Sequence, residues 1–447
     1  MTRDGNDITA DFIRNLRWEE LPKAVQERAR LCLLDGLGSV LAGTLAPVSG
    51  IAAGYAHKFW QGEGATILLH GLRAQAPGAA FANACAGNAL DIDDDAIFTR
   101  GHPGAQLIPT VLAVSEEIGA SGKALLEGMV AGYEIAIRAG RCWHAYHEEY
   151  QSCGSWGSLA CAAATAKLMG LNSTEIKHAH GIAEYHAPNA PMMRDIQTPS
   201  MVKHAIGWGA MNGILSAQLA QRGFTGVPSL LGFDEYRSWI EDLGKIYWMA
   251  EGVFYKGWAS CAWGHAACQA ARQVMLDHKI DSGQIEHIRV RTFQEALCLY
   301  QELPRNTEQA QFSLKWPLAC LLLDGEIGPE QVLEKRLGDS RVRDLFDRIE
   351  LELDPLIDQQ YQEAQDMDLM MTSAVEIRLR DGRVFDSGIV ERGAGSWTGD
   401  LLEDKFRWLV GYVLDSATIE DLIRMVRDFE HLDRASELIQ RVMARPT

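Results

Sequence analysis

The chain has 447 residues, of which 47% are hydrophobic and 23% charged, and its formal net charge is −18. That length exceeds one ordinary core and predicts two domains, in a composition normal for a globular protein. The acidic surplus excludes nucleic acid as a partner, because nothing is left over to neutralise phosphates, but it permits a small anionic substrate held by a few cations in one pocket. The opening residues MTRDGNDITADFIRNLRWEEL are polar, so no secretory leader is expected. No apolar run reaches the roughly 18 residues of a membrane span. The nine cysteines form no CxxC pair. A disulfide framework or structural zinc site is therefore not expected, and the expected setting is the reducing cytoplasm.

In chain order, 7–45 reads as helical, with Pro22 opening a helix that runs to about Gly43. The Ala- and Gly-rich stretches 50–61 and 75–90 continue in the same style, and small residues at that density predict closely packed helices. Helices are expected at about 105–119, 122–139, 157–169, 202–222 and 262–278, with a Pro-punctuated loop at 186–201. No strand is read before about residue 265. The pattern then changes. Residues 287–293, 348–353 and 375–379 alternate apolar and polar, and Asp381-Gly382 marks a hairpin. Helices are expected between them at 314–325 and 329–346. The chain then returns to helices at 401–414, 418–428 and 431–443. The fold expected is mainly α: a large all-helical domain (1–268 and 396–447) plus a smaller α+β domain with an antiparallel sheet (269–395) that forms a lid.

Five stretches carry residue types suited to chemistry. In Asn88–Pro103, NALDIDDDAIFTRGHP, the carboxylates Asp91, Asp93, Asp94 and Asp95 precede Arg100 and His102 on a loop between two helices. Clustered aspartates also cap helices, and that plainer reading is open for this loop. The others are Tyr150-Gln151-Ser152-Cys153, then Lys203-His204 at the start of a helix, then Lys256 with Trp258, Cys261 and His265, and finally Gln311-Phe312-Ser313-Leu314-Lys315-Trp316. Taken singly, Lys203 and Lys256 read as surface lysines, Cys261 as a small buried hydrophobe, and Trp258 and Trp316 as core. HExxH, a strand-linked GxGxxG and a Walker loop are all absent, so no metal or nucleotide is expected.

Together these stretches resemble the MmgE/PrpD family of 2-methylcitrate dehydratase, cis-aconitate decarboxylase and iminodisuccinate epimerase, over nearly the whole length. The resemblance is carried by Asn88-Ala-Leu-Asp91-Ile-Asp93-Asp94 with His102-Pro103, and by Lys203. It continues in Lys256, Trp258, Cys261 and His265, in Phe312-Ser313-Leu314 with Asp324-Gly325, and in Asp404-Lys405-Phe406. It implies an active site between the two domains, a homodimer and no cofactor. It also implies proton removal next to a carboxylate of a small di- or tricarboxylate. In that chemistry Lys203, Lys256 and Arg100 would supply positive charge, and His102 would be the general acid/base. Asp91 or Asp93 would orient His102 or a lysine, or act as the base itself. Asp95, Gln151, Trp258, Cys261, His265 and Trp316 would line the substrate site. Asn88 stands where many members have histidine, Gln151 where the decarboxylases have histidine, and Trp316 where they have tyrosine. These departures, with Arg100-Gly-His102-Pro103, leave three expectations. They are a cofactor-independent lyase of the 2-methylcitrate dehydratase type, an epimerase of an amino- or imino-dicarboxylate, and a non-catalytic carboxylate-binding member.

Overall fold

The structure is a computed structural model that describes residues 3–364, 371–392 and 397–443. It is mainly α, with a smaller α+β part.

The helical body is built on Lys23–Gly43, Ala76–Gly87, Gly104–Ile118, Gly122–Tyr146, Cys153–Leu168 and Ile206–Gln221. Cys153–Leu168 is buried on every side over its first fourteen residues. A helix can be surrounded this way only if its neighbours come close, which its Ala- and Gly-rich sequence allows. At Gly157 a Cβ would lie 1.7 Å from the Gln106 side-chain nitrogen, and at Gly154 it would lie 2.1 Å from the Ala205 carbonyl oxygen. These contacts lock the helix start against the segment that carries Lys203 and His204. No single helix among the described residues is long and apolar enough to cross a membrane.

The sheet has the order 349–353, 285–292, 372–379, 384–391. The expected antiparallel sheet is in fact mixed. Ile349–Leu353 joins Ile285–Thr292 in parallel, and the other two pairings are antiparallel. Parallel neighbours need a long crossover, supplied here by the helices Lys315–Asp324 and Ser340–Asp347. The hairpin at Asp381-Gly382 forms as expected, with Gly382 at φ 89° in the left-handed region.

Four expectations are corrected. The helical body is not free of strands: Ala65–Ile67 pairs with Leu72–Ala74, and Asp95–Ala96 with Val253–Phe254. Strands of two or three residues are too short to show a period, and the second pairing joins distant parts of the chain. The helix expected over 329–346 is broken into Pro329–Val332, a 3-10 turn and Ser340–Asp347, because Asp339 caps a fresh start by accepting from the Arg341 N–H. The helix expected from 202 begins only at Ile206. The stretch expected as one helix over 431–443 is broken into the short pieces Ser436–Ile439 and Gln440–Val442.

Two apolar clusters form. One takes in most of the helical body together with Leu402, Phe406, Leu422 and Ile423 from the C-terminal helices. The other covers the sheet and is made mostly of residues from Ala259 onward, with Ala42, Ala46 and Val48 joining it from the body. The expected division at 268/269 falls inside the continuous helix His265–His278, and the one at 395/396 lies outside the described residues. Ala89, Leu90, Ile92 and Ile196 of the body pack into the second cluster. The acidic loop therefore sits where the two cores meet.

Candidate active site

The helix Ala76–Gly87 ends at Asn88, and Asp91 follows in the left-handed region at φ 51°. This tight bend turns the next carboxylates inward. All four are buried, and burying a carboxylate costs several kcal/mol unless it is paired. Each has its own arrangement. Asp94 takes the capping role: it accepts from the Gly104 N–H at 2.8 Å and from the Tyr133 hydroxyl at 2.6 Å. Burial, with Asp35 and Asp93 nearby, pushes its pKa up to about 7. Asp95 accepts from the Ala96 N–H at 2.9 Å. Asp91 and Asp93 instead face cations. Asn88 donates to both, at 3.3 and 2.9 Å.

His102 stands between these two carboxylates. Its Nε2 lies 3.4 Å from Asp91, its Nδ1 lies 3.3 Å from Asp93, and the Asp94 carbonyl oxygen lies 2.8 Å from Nδ1. Burial alone would lower its pKa, but Asp93 and Asp91 outweigh burial and raise it. Lys256 reaches the other Asp91 oxygen at 2.9 Å. Burial likewise opposes the Lys256 charge, and Asp91 and Asp93 restore it. Burial would raise the Asp91 pKa, yet Lys256, His102, Lys203 and His204 together hold it well below the usual carboxylate range. Lys405, from the C-terminal helix Gly399–Val410, braces the loop from behind by donating to Asp35 at 2.6 Å and to the Ile92 carbonyl at 2.8 Å.

Lys203, His204 and Ala205 all have positive φ, at 41°, 57° and 56°. Each such non-glycine residue costs on the order of 1–2 kcal/mol and persists only where its surroundings hold it. Here the His204 N–H donates to Asp195 at 2.8 Å. The Lys203 ammonium is 2% exposed, donates to the Gln311 side-chain oxygen at 2.9 Å and lies 5.0 Å from the Phe312 ring centre. Among the described residues no carboxylate lies within ion-pair distance of it.

These groups surround a cavity of about 250 Å³, lined by Asp91, Asp95, Arg100, His102, Tyr150, His204, Cys261 and Phe312 among others. The Tyr150 hydroxyl donates to the Arg100 carbonyl and fixes that rim. The Cys261 thiol is pushed up to about 12 by burial and by Asp91, which disfavours the thiolate. Asp93, Lys203 and Lys256 stand behind the lining and act on it through charge. Other expected site residues lie elsewhere. Trp316 is core, fully buried, with its indole donating to the Gln331 carbonyl at 2.9 Å. Gln151 is turned away and accepts from the Ala190 N–H at 2.9 Å. Trp258 and His265 face a second cavity beyond Lys256, of about 260 Å³. Burial, Lys256 and Arg392 lower the His265 pKa to about 3, so its ring is neutral.

Asp91, His102 and His204 offer ligand atoms within 4.8 Å of one another, a spacing that could admit a metal ion. The Lys256 ammonium already neutralises Asp91, and His102 is held between two carboxylates, so this set suits a proton more than a dication. Sequence reading placed His204 and Gln311 in candidate stretches without giving either a role, and it passed over Asp195 and Tyr133. The signal available was the unusual Lys203-His204 pair just before a Gly/Ala helix. The left-handed turn that aims both side chains is not visible in residue types.

The family model of the MmgE/PrpD N-terminal domain matches residues 7–237, and that of the MmgE/PrpD C-terminal domain matches 258–431. The chain belongs to the MmgE/PrpD family. It is similar to cis-aconitate decarboxylase of Homo sapiens, 26% identical over 466 residues that cover 98% of this chain and 94% of that protein. Cis-aconitate decarboxylase of Aspergillus terreus is 24% identical over 475 residues, 95% of this chain and 93% of its own. That of Mus musculus is 26% identical over 472 residues, 98% and 93%. Both halves of this MmgE/PrpD protein reach the cavity: Asp91, His102 and His204 from the N-terminal match, Cys261 and Phe312 from the C-terminal one.

Proposed function

We propose that the protein is a cofactor-independent lyase of the 2-methylcitrate dehydratase type. It removes a proton next to a carboxylate of a small di- or tricarboxylate. The observation that carries this reading is the Lys203 ammonium, buried behind the cavity wall with an amide and an aromatic ring as its partners. A buried cation so placed favours an anion beside it, and a substrate carboxylate supplies one. As charge builds on that carboxylate during proton removal, Lys203 and Lys256 stabilise it without reorganising. His102, whose pKa Asp93 and Asp91 raise against the effect of burial, is the acid that assists the leaving oxygen. The names of the relatives, decarboxylases of a tricarboxylate, support the lyase class and the size of the substrate.

The test is incubation with citrate, 2-methylcitrate and cis-aconitate, followed by ultraviolet absorbance and by proton exchange in D₂O. The expected result is interconversion of a hydroxy acid and its conjugated alkene. Deuterium entering the position next to a carboxylate with no alkene formed would replace the lyase with the epimerase. Ligand-induced thermal stabilisation without turnover would leave a carboxylate-binding member.

The reading includes a homodimer. Ile51, Tyr55 and Phe59 on the helix Pro47–Phe59 and Trp208 on Ile206–Gln221 are exposed, and Phe81 of the helix between them touches both Tyr55 and Trp208, so together they form an apolar face suited to a second copy. Light scattering on the intact protein tests this, and a monomer would rule it out. The nine cysteines are all free, which suits a reducing setting such as the cytoplasm.

A further inference from the structure

A lyase of this kind needs two proton-handling groups: one to take hydrogen from carbon and one to give a proton to the leaving oxygen. His102, wedged between Asp91 and Asp93, is suited to giving. The cavity lining holds one other imidazole, His204. Its side chain is 1% exposed, and neither ring nitrogen has an aligned hydrogen-bond partner among the described residues. The nearest acceptor to Nδ1 is the Asp195 carboxylate, with Oδ2 at 2.8 Å, off hydrogen-bond alignment. The same oxygen accepts the His204 backbone N–H, so one carboxylate holds the main chain and faces the ring. In the tautomer that carries its proton on Nδ1, beside Asp195, Nε2 presents a lone pair. The ring lies parallel to that of His102, at 8° and 5.7 Å between centres. A nitrogen of each ring and an oxygen of Asp91 fall within 4.8 Å of one another, a span that adjacent carbons of one substrate can bridge. The Phe312 ring packs against His204 in a T-shaped arrangement, with 5.3 Å between ring centres.

We infer that His204 is the general base of the reaction, positioned by Asp195, with His102 as its acid partner. This rests on the lyase reading above. In the step, the bond from carbon to hydrogen breaks and Nε2 of His204 takes the proton. The freed electron pair first rests on the adjacent carboxylate as an enolate, from which the proton can return, and then forms the carbon–carbon double bond. The carbon–oxygen bond breaks, and its pair leaves with the oxygen, which takes the His102 proton and departs as water. His204 then returns its proton to solvent and His102 regains one, so the cycle balances without an added reactant. The three left-handed residues at 203–205 now have a use: they set Lys203 and His204, neighbours in sequence, around the same substrate.

The experiment compares wild type, His204→Gln, His102→Gln and Asp195→Asn in the intact protein, using the polycarboxylate that wild type turns over. Elimination and deuterium entry from D₂O are followed separately. His204→Gln should lose about 10²–10⁴-fold in both, while substrate still raises its melting temperature. His102→Gln should lose elimination and keep deuterium entry, because the base remains. Asp195→Asn should lower deuterium entry about tenfold with KM little changed, and Asp195→Glu should restore part of it. Deuterium entry at the wild-type rate in His204→Gln, with wild-type turnover intact, would overturn the inference and leave the lyase reading standing. Loss of activity on chelation, restored by a divalent cation that His204→Gln no longer binds, would also overturn it in favour of a metal ligand. No turnover or exchange by wild type with any polycarboxylate would remove the lyase reading, and the inference with it.

Discussion

Among the described residues, the buried charge network around Arg138 and the one around Asp91 are built differently. In the first, Glu134 and Arg138 on the helix Gly122–Tyr146 pair at 2.5 Å, and Arg138 also reaches Asp242 at 2.6 Å. Glu134 further accepts the N–H groups of Trp248 and Met249, and Arg138 lies 4.4 Å from the Trp248 ring centre. Nearly every polar atom there has a partner. In the second, Asp91, His102, Lys256 and Lys203 meet beside a cavity, while the Asn88 side-chain oxygen and both ring nitrogens of His204 lack aligned partners. A satisfied network holds elements together. An incompletely satisfied one keeps charge and lone pairs ready for something else, and its cost is tolerated because the surrounding helices are rigid.

That contrast is broken most sharply by removing one member of each network. His102→Gln should lower kcat about 10²–10⁴-fold and shift the melting temperature little, read by steady-state kinetics beside thermal unfolding. A large loss of stability with normal activity would erase the distinction. Arg138→Leu should do the reverse. Leaving Glu134 buried without its cation should cost about 3–5 kcal/mol in denaturant unfolding, with activity per folded molecule unchanged.

Smaller effects sharpen the comparison. His102 has its pKa raised above the ordinary 6.5, so its proton and the activity that depends on it are present below that value. Both are lost as pH rises through the raised pKa. A rate that falls on the alkaline side in wild type, and not in the residual activity of His102→Gln, would confirm the assignment. Asp94 has its pKa raised from 3.8 to about 7, so the folded chain binds its proton more tightly than the unfolded chain does. Stability from that proton is full below about pH 3.8 and is lost as pH rises to about 7. Asp94→Asn keeps the acceptor for Gly104 without the charge, and should melt higher than wild type at pH 8 with little difference at pH 5. The least effect is expected for Cys261→Ala. Its thiol stays protonated at neutral pH, so most of the activity should remain. Complete loss in a folded variant would assign it a chemical role.

Much of the site was legible before any coordinates, because charged residues stand out in an apolar background. Asp91, His102, Lys203 and Lys256 are each unusual beside Ala- and Gly-rich helices; Asp91 and His102 line one cavity, and Lys203 and Lys256 stand behind that lining with their charge toward Asp91. Trp316 and Gln151 were drawn to the site by motif position and lie outside the lining, since position in a motif says nothing of which way a side chain turns. Asp195 was silent because its partner is brought to it by a backbone bend.

The sequence by itself determined the helical body, the hairpin at Asp381-Gly382, the family and the roster of charges. Those follow from periodicity, turn chemistry and composition, which are local properties. Only the tertiary structure decided which aspartate caps a helix and which pairs with a cation, that the sheet is mixed, and that His204 stacks on His102. Those outcomes depend on groups distant in the chain and on three left-handed residues held by packing, and neither is encoded in any short stretch of residues.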